Sequence, residues 1–160
     1  MNQTIARRGL LGAGIAALTA AMLPRDAVAA AFPVALSDAQ WRARPTPAQF
    51  ATLRKEATEP PFTSPLNDEH RRGVFRCAGC ARPLFSSATK FDSGTGWPSF
   101  WQPLKGAIGT RTDRAMLMAR TEVHCSRCGG HLGHVFDDGP RPTGLRYCMN
   151  GVAMRFAPAA

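Results

Sequence analysis

Apolar positions along this chain fall into three textures. From Gly9 to Leu23 they are nearly continuous; between Thr46 and Ala57 they recur at helical spacing; past residue 70 they come in short runs broken by Gly and Pro. In TPAQFATLRKEAT, Phe50, Leu53 and Ala57 fall on one helical face, which predicts a short amphipathic helix. Thr46 suits the N-cap, Pro47 the first helical position and Gln49 the far corner of a capping box. Glu59-Pro60-Pro61 is expected to end the helix. The later runs GVFRC, ARPLF, SFWQPL, GAIGTRTD, AMLMART, GHVFDD and GLRYCMNG alternate in part between apolar and polar, as half-buried strands do. No βαβ rhythm, internal repeat or low-complexity stretch interrupts them. The expected fold is mainly β, a compact antiparallel β-sheet domain with a short N-terminal helical segment. Residues 30–45, mixed and Pro-containing, read as an exposed lead-in.

The first texture reads as an export signal over residues 1–29. Arg7 and Arg8 precede the apolar stretch, and Ala27-Val28-Ala29 supplies an A-x-A cleavage pattern, with Ala30 as the expected mature start. The stretch is shorter than the ~20 apolar residues that span a bilayer, so stable membrane insertion is not expected. The pair Arg7-Arg8 followed by Gly9-Leu10-Leu11 fits twin-arginine export of a folded protein, which places the chain in the periplasm or outside the cell.

Composition adds limits rather than a direction. With 44% hydrophobic and 19% charged residues, the 160-residue chain is an ordinary globular protein with room for one core. The formal charge of +9 raises nucleic-acid binding. That class is set aside, because no block of five basic residues occurs and no aromatics interleave with basic ones. Nothing points beyond a monomer.

Five cysteines change the picture. Cys77-Ala78-Gly79-Cys80 and Cys125-Ser126-Arg127-Cys128 are two C-x₂-C knuckles. Two such pairs supply the four thiolates of a closed, structural Zn²⁺ site, one ion per chain, with no open position for chemistry. Two disulfides are the alternative in an oxidising compartment. Folding before export favours zinc, since the thiols would load metal before meeting an oxidant.

Cys148 is then left without a partner. Arg146 and Asn150 flank it at the two-residue spacing that shares a strand face, and a guanidinium favours thiolate over thiol. His131, His134, Asp137 and Asp138 lie just upstream, a set suited to proton transfer. In DSGTGWPSFW, the turn residues Gly94, Gly96 and Pro98 direct Trp97 towards a small apolar pocket. A zinc-ribbon-like binding module and a thiol-disulfide oxidoreductase using one knuckle are the competing readings of the same cysteines.

FDSGTGWPSF, RTEVHCSRCGGHLGHVFDDGPRPTGLRYCMNGVAMRF and TEPPF resemble methionine-R-sulfoxide reductases of the B type. The resemblance runs from about Thr46 to Phe156, and residues 46–156 are accordingly the expected catalytic domain. It implies a structural zinc at Cys77, Cys80, Cys125 and Cys128, and Cys148 as nucleophile. It also implies that Trp97 holds the sulfoxide methyl group, and that His131 and His134, helped by Asn150, deliver a proton to the sulfoxide oxygen. Asp138 and Arg146 are implied as supporting charges, positioning a histidine and stabilising the thiolate. The substrate would be methionine sulfoxide, free or in oxidised proteins. Many relatives carry a resolving cysteine where this chain has Thr95, so the expected reductant is external: a thioredoxin-like protein or a small thiol. Asp137 stands where relatives often have Pro.

Overall fold

A computed structural model describes residues 32–116 and 118–160. The export signal assigned to residues 1–29 lies outside the described residues. Among the described residues two α-helices, α1 (Asp38–Arg42) and α2 (Pro47–Lys55), precede nine strands. These are β1 (Gly73–Cys77), β2 (Pro83–Ser86), β3 (Lys90–Phe91), β4 (Ser99–Phe100), β5 (Ile108–Met116), β6 (Met118–Cys125), β7 (His131–Phe136), β8 (Arg146–Met149) and β9 (Met154–Pro158). They form a three-stranded sheet in the order β2-β1-β9 and a six-stranded sheet in the order β3-β4-β8-β7-β6-β5. Every pairing is antiparallel. The fold is therefore mainly β, as expected.

An aromatic seam joins the sheets. Phe75 of β1 meets Phe100 of β4 edge-on at 4.9 Å, and Phe85 of β2 stacks on Phe100 at 4.4 Å. All three rings are fully buried, with Leu84, Leu132 and Met149 beside them. Burying these side chains between the sheets is what holds the short runs together as strands.

The capping box of α2 forms as its residues predict. Thr46 Oγ1 accepts from Gln49 N at 3.2 Å, while Gln49 Oε1 accepts from Thr46 N at 3.0 Å. The helix ends earlier than expected, at Lys55. Glu56 takes a left-handed conformation (φ 58°), and Ala57 N closes back onto Ala51 O. Ala57 is therefore outside the helix and exposed, whereas Phe50 and Leu53 are buried.

The lead-in is exposed along most of its described length, but it is anchored at Trp41 and Pro45, which are buried. Ser37 and Gln40 make a second capping box that opens α1, and Trp41 on that helix is 1% exposed. Val34 N donates to Arg127 O at 2.9 Å. A helix of five residues is too short to show a period, so its signals were local: the Ser37–Gln40 spacing and one large aromatic. β3 and β9 were also not foreseen, and within SFWQPL only Ser99–Phe100 is strand. β9 begins after the one-turn 3₁₀ helix Gly151–Ala153 and runs along the whole of β1, from Gly73↔Pro158 to Cys77↔Met154.

Trp41 packs on the first cysteine knuckle, since a Cβ at Gly79 would lie 3.2 Å from its ring. Arg54 sits over the indole at 5.0 Å. Removing that side chain leaves a cavity over the knuckle. Trp41→Ala is expected to lower the unfolding free energy by about 3–5 kcal/mol, measured by equilibrium urea denaturation. A loss below about 1 kcal/mol, the ordinary cost of a surface change, would show that the lead-in is not part of the core.

Candidate active site and metal centre

Cys77 ends β1 and Cys125 ends β6, so the two knuckles come from different sheets. Their backbones repeat the same hydrogen bonds. Ala81 N donates to Cys77 O and Gly129 N to Cys125 O, both at 2.8 Å; Cys77 N donates to Arg82 O and Cys125 N to Gly130 O, both at 2.9 Å. Ala81 (φ 60°) and Gly129 (φ 66°) hold the same left-handed position, which turns each chain back so that both sulfurs of a pair point inward. All four cysteines are unbridged, and their sulfurs lie within 4.8 Å of one another. Cys77 Sγ is 3.7 Å from Cys128 Sγ, and Cys80 Sγ is 3.5 Å from Cys125 Sγ.

A tetrahedral ion with bonds of about 2.3 Å to sulfur requires sulfurs about 3.8 Å apart. The cluster fits. Hydrogen bonding among the sulfurs, led by Cys125, together with burial pushes the Cys77 and Cys128 thiols up. A cation between the four is what would let them all ionise.

Cys148 lies in the six-stranded sheet, two strands from Cys125. Its strand β8 runs between β4 and β7, with Ser99 directly opposite on one side and His134 on the other. That approach depends on Gly133, where a Cβ would come within 2.1 Å of Cys148 O. Arg146 shares the strand face and is gripped by Asp138 through two bonds, Nε–Oδ1 at 2.8 Å and Nη2–Oδ2 at 2.7 Å. Arg146 also lies over the Phe136 ring at 4.4 Å. The Asp138 hydrogen bonds, with smaller help from the Cys148 sulfur, raise the guanidinium's pKa; Arg146 in turn holds the Asp138 carboxyl below its usual range. Asp138 thus positions an arginine, where the resemblance implied a histidine. Asp137 is exposed.

The histidines have other partners. His131 Nδ1 meets Glu122 Oε1 at 2.8 Å, and His134 Nε2 meets Asp113 Oδ2 at 2.8 Å. Glu122 is also bonded by Arg111, and Asp113 by Arg120 at 2.7 Å. Burial opposes ionisation of Glu122, but the His131 bond and the Arg111 charge outweigh it and hold the carboxyl below its usual range. Burial lowers the His134 pKa and so favours the neutral ring; in that form Nε2–H donates to Asp113 and Nδ1 is the bare nitrogen. His131 is 3% exposed, and its buried Nε2 has no partner among the described residues. The two rings stand edge to face, 5.4 Å apart.

Asn150 falls just past the end of β8, so the alternation that would set it beside Arg146 and Cys148 stops at Met149. Its buried amide instead accepts from Glu59 N at 3.0 Å and donates to Leu132 O at 3.2 Å. Glu59 is a hub that sequence reasoning missed. Its carbonyl accepts from Trp97 Nε1 at 3.0 Å, and its carboxylate takes the backbone amides of Gly151 and Val152. Trp97 is half-buried and borders a cleft of about 200 Å³ with Phe62, Phe91 and Lys90.

The SelR domain model matches residues 46–158. The chain belongs to the SelR family, the B-type methionine sulfoxide reductases. It is 55% identical over 123 residues to the peptide methionine sulfoxide reductase MsrB of Agrobacterium fabrum, covering 76% of this chain and 91% of that one. It is 56% identical to the MsrB of Thiobacillus denitrificans, covering 76% and 93%. The chain is accordingly a methionine sulfoxide reductase, an oxidoreductase requiring a thiol reductant.

In this SelR chain the carboxylates of Asp113 and Glu122 are the site members that the sequence did not disclose. Glu122 left one trace: an acid inside the strand TEVHC, next to a fully buried valine. If four sulfurs hold an ion and one does not, thiol counting separates them. With a chromogenic disulfide reagent, native protein should show one reactive thiol, and protein stripped by a strong chelator under reducing conditions should show five with a lowered Tm. Five reactive thiols before chelation would contradict the metal centre.

Proposed function

We propose that this reductase acts on the R epimer of methionine sulfoxide with Cys148 as nucleophile. One arrangement carries the reading: the only cysteine outside the cluster faces His134 across a strand pair, beside a buried histidine whose Nε2 has no partner among the described residues. The Cys148 thiolate attacks the sulfoxide sulfur while a proton reaches the oxygen. His131 suits that delivery, because Glu122 fixes Nδ1 and leaves Nε2 to carry the proton. In the protonated adduct the S–O bond breaks as its hydroxyl passes to the Cys148 sulfur and the S–S bond to the substrate cleaves, so that methionine departs and Cys148 is left as sulfenic acid. Trp97 holds the methyl group, Arg146 supports the thiolate, and Asn150 with Glu59 fixes the wall that carries Trp97.

All five cysteines are then assigned, and Thr95 takes the place of a resolving thiol. An external thiol condenses with the sulfenic acid, releasing water, and a second thiol frees Cys148 as the disulfide of the reductant. The ion at Cys77, Cys80, Cys125 and Cys128 is Zn²⁺, which joins the sheets and takes no part in the chemistry. The segment 1–29 exports the folded protein through the twin-arginine route to the periplasm, where it repairs oxidised methionine.

Turnover of separated R and S epimers by wild type and Cys148→Ser, with the metal measured on both, tests this directly. The expected outcome is reduction of R alone, and a fall of at least about a thousandfold in the serine variant with its metal intact. Activity retained by Cys148→Ser would overturn the assignment.

A further inference from the structure

Three hydroxyls end on the reacting sulfur. Thr95 Oγ1 lies 3.7 Å from Cys148 Sγ, Ser93 Oγ lies 2.8 Å from Thr95 Oγ1, and Ser99 Oγ lies 2.8 Å from Ser93 Oγ. Ser99 is fully buried and pairs with Cys148 across β4 and β8. The far end of the chain is the Trp97 carbonyl, 3.1 Å from Ser99 Oγ.

Each hydroxyl has one proton to give, so the chain has two self-consistent polarities. In the first, Ser99 donates to the Trp97 carbonyl, Ser93 to Ser99 and Thr95 to Ser93. Thr95 then offers the sulfur a lone pair, which suits an S–H. In the second, Ser99 donates to Ser93, Ser93 to Thr95 and Thr95 to the sulfur, which suits S⁻. Passing from one to the other takes three hydroxyl rotations, no heavy-atom movement and the loss of one neutral bond at Trp97. What is gained is a bond to an ionised acceptor, roughly twice as strong as a neutral one.

We infer that Thr95, with Ser93 and Ser99 behind it, is a reversible hydrogen-bond relay that stabilises the Cys148 thiolate. The inference rests on Cys148 being the nucleophile and adds a role at the position where relatives keep a resolving thiol. Thr95 touches the reacting sulfur; Ser93 and Ser99 are positioning residues that set its polarity. The relay works against a charged background that it does not replace. Arg146 with Asp138 faces the sulfur from β8 and the loop before it, His134 from β7 with Asp113 of β5 and Arg120 of β6, and His131 with Glu122 and Arg111 beyond. Asp92 lies on the loop that carries Ser93, where its carboxylate accepts from Gly94 N at 2.9 Å.

The test reads the thiolate without turnover. The rate of iodoacetamide alkylation at Cys148 is followed by peptide mass spectrometry from pH 5 to 10, on metal-loaded wild type, Thr95→Val, Thr95→Ser and Ser93→Ala. Valine keeps the shape of threonine and removes the hydroxyl; serine keeps the hydroxyl. Thr95→Val is expected to move the midpoint up by about 0.7 unit, a roughly fivefold loss of thiolate below it. Thr95→Ser should stay with wild type, and Ser93→Ala should move the same way by less. Superimposable profiles for Thr95→Val and wild type, or a serine variant displaced as far as the valine one, would overturn the relay. Because no sulfoxide is present, either result is independent of whether Cys148 proves to be the nucleophile in the epimer assay.

Discussion

Four sulfurs at the ends of β1 and β6 fix the two sheets to each other at one point. The six-stranded sheet is built outward from there. β6 leaves Cys125 carrying Glu122, β7 returns past Cys128 carrying His131 and His134, and β8 pairs on β7 with Cys148 opposite His134. The N-terminal segment closes over the same point, with Trp41 against Gly79, Leu53 against Gly130 and Phe32 against Gly129. A closed thiolate site of this kind contributes folding free energy outright. The placement of Cys148, set by strand register and by the absence of a side chain at Gly133, is thus built outward from the four-sulfur centre.

The site divides its labour between two histidines by giving each a carboxylate on a different ring nitrogen. Glu122 takes His131 at Nδ1, Asp113 takes His134 at Nε2, and each acid is itself anchored by an arginine. The same two residue types therefore present opposite faces to the space around Cys148. Arg146, held by Asp138, supplies the fixed positive charge. On the other side the Trp97 wall is secured by backbone, through Glu59 O and the Asn150 amide.

Much of this was legible in the chain because it is local. The Thr46–Gln49 capping box and each C-x₂-C knuckle are properties of residues within a few positions of one another, and the isolation of Cys148 needs only a count of the cysteines. The runs GVFRC and GHVFDD announced strands, and β1 buries alternate residues at its end, Phe75 and Cys77, as such a run should. What stayed hidden is what pairing creates. Asp113 and Glu122 reach the histidines only through the β5–β6–β7 register, and Asp138 sits near a histidine in sequence yet turns to Arg146 in space. Asn150 and Glu59 are far apart along the chain and meet only after the loop at 59–67 folds over β8. α1 was missed because five residues carry no period, although Trp41 and the Ser37–Gln40 spacing were present.

One sulfur free and four sequestered is the claim on which the account stands. Its most direct measurement is peptide mass spectrometry after a single equivalent of methionine-R-sulfoxide, without reductant and with dimedone present as a sulfenic-acid trap. The account predicts one methionine released and one dimedone adduct, on Cys148, with the other four cysteines unmodified and the metal retained. A disulfide joining Cys148 to any of Cys77, Cys80, Cys125 or Cys128, with metal lost, would contradict it.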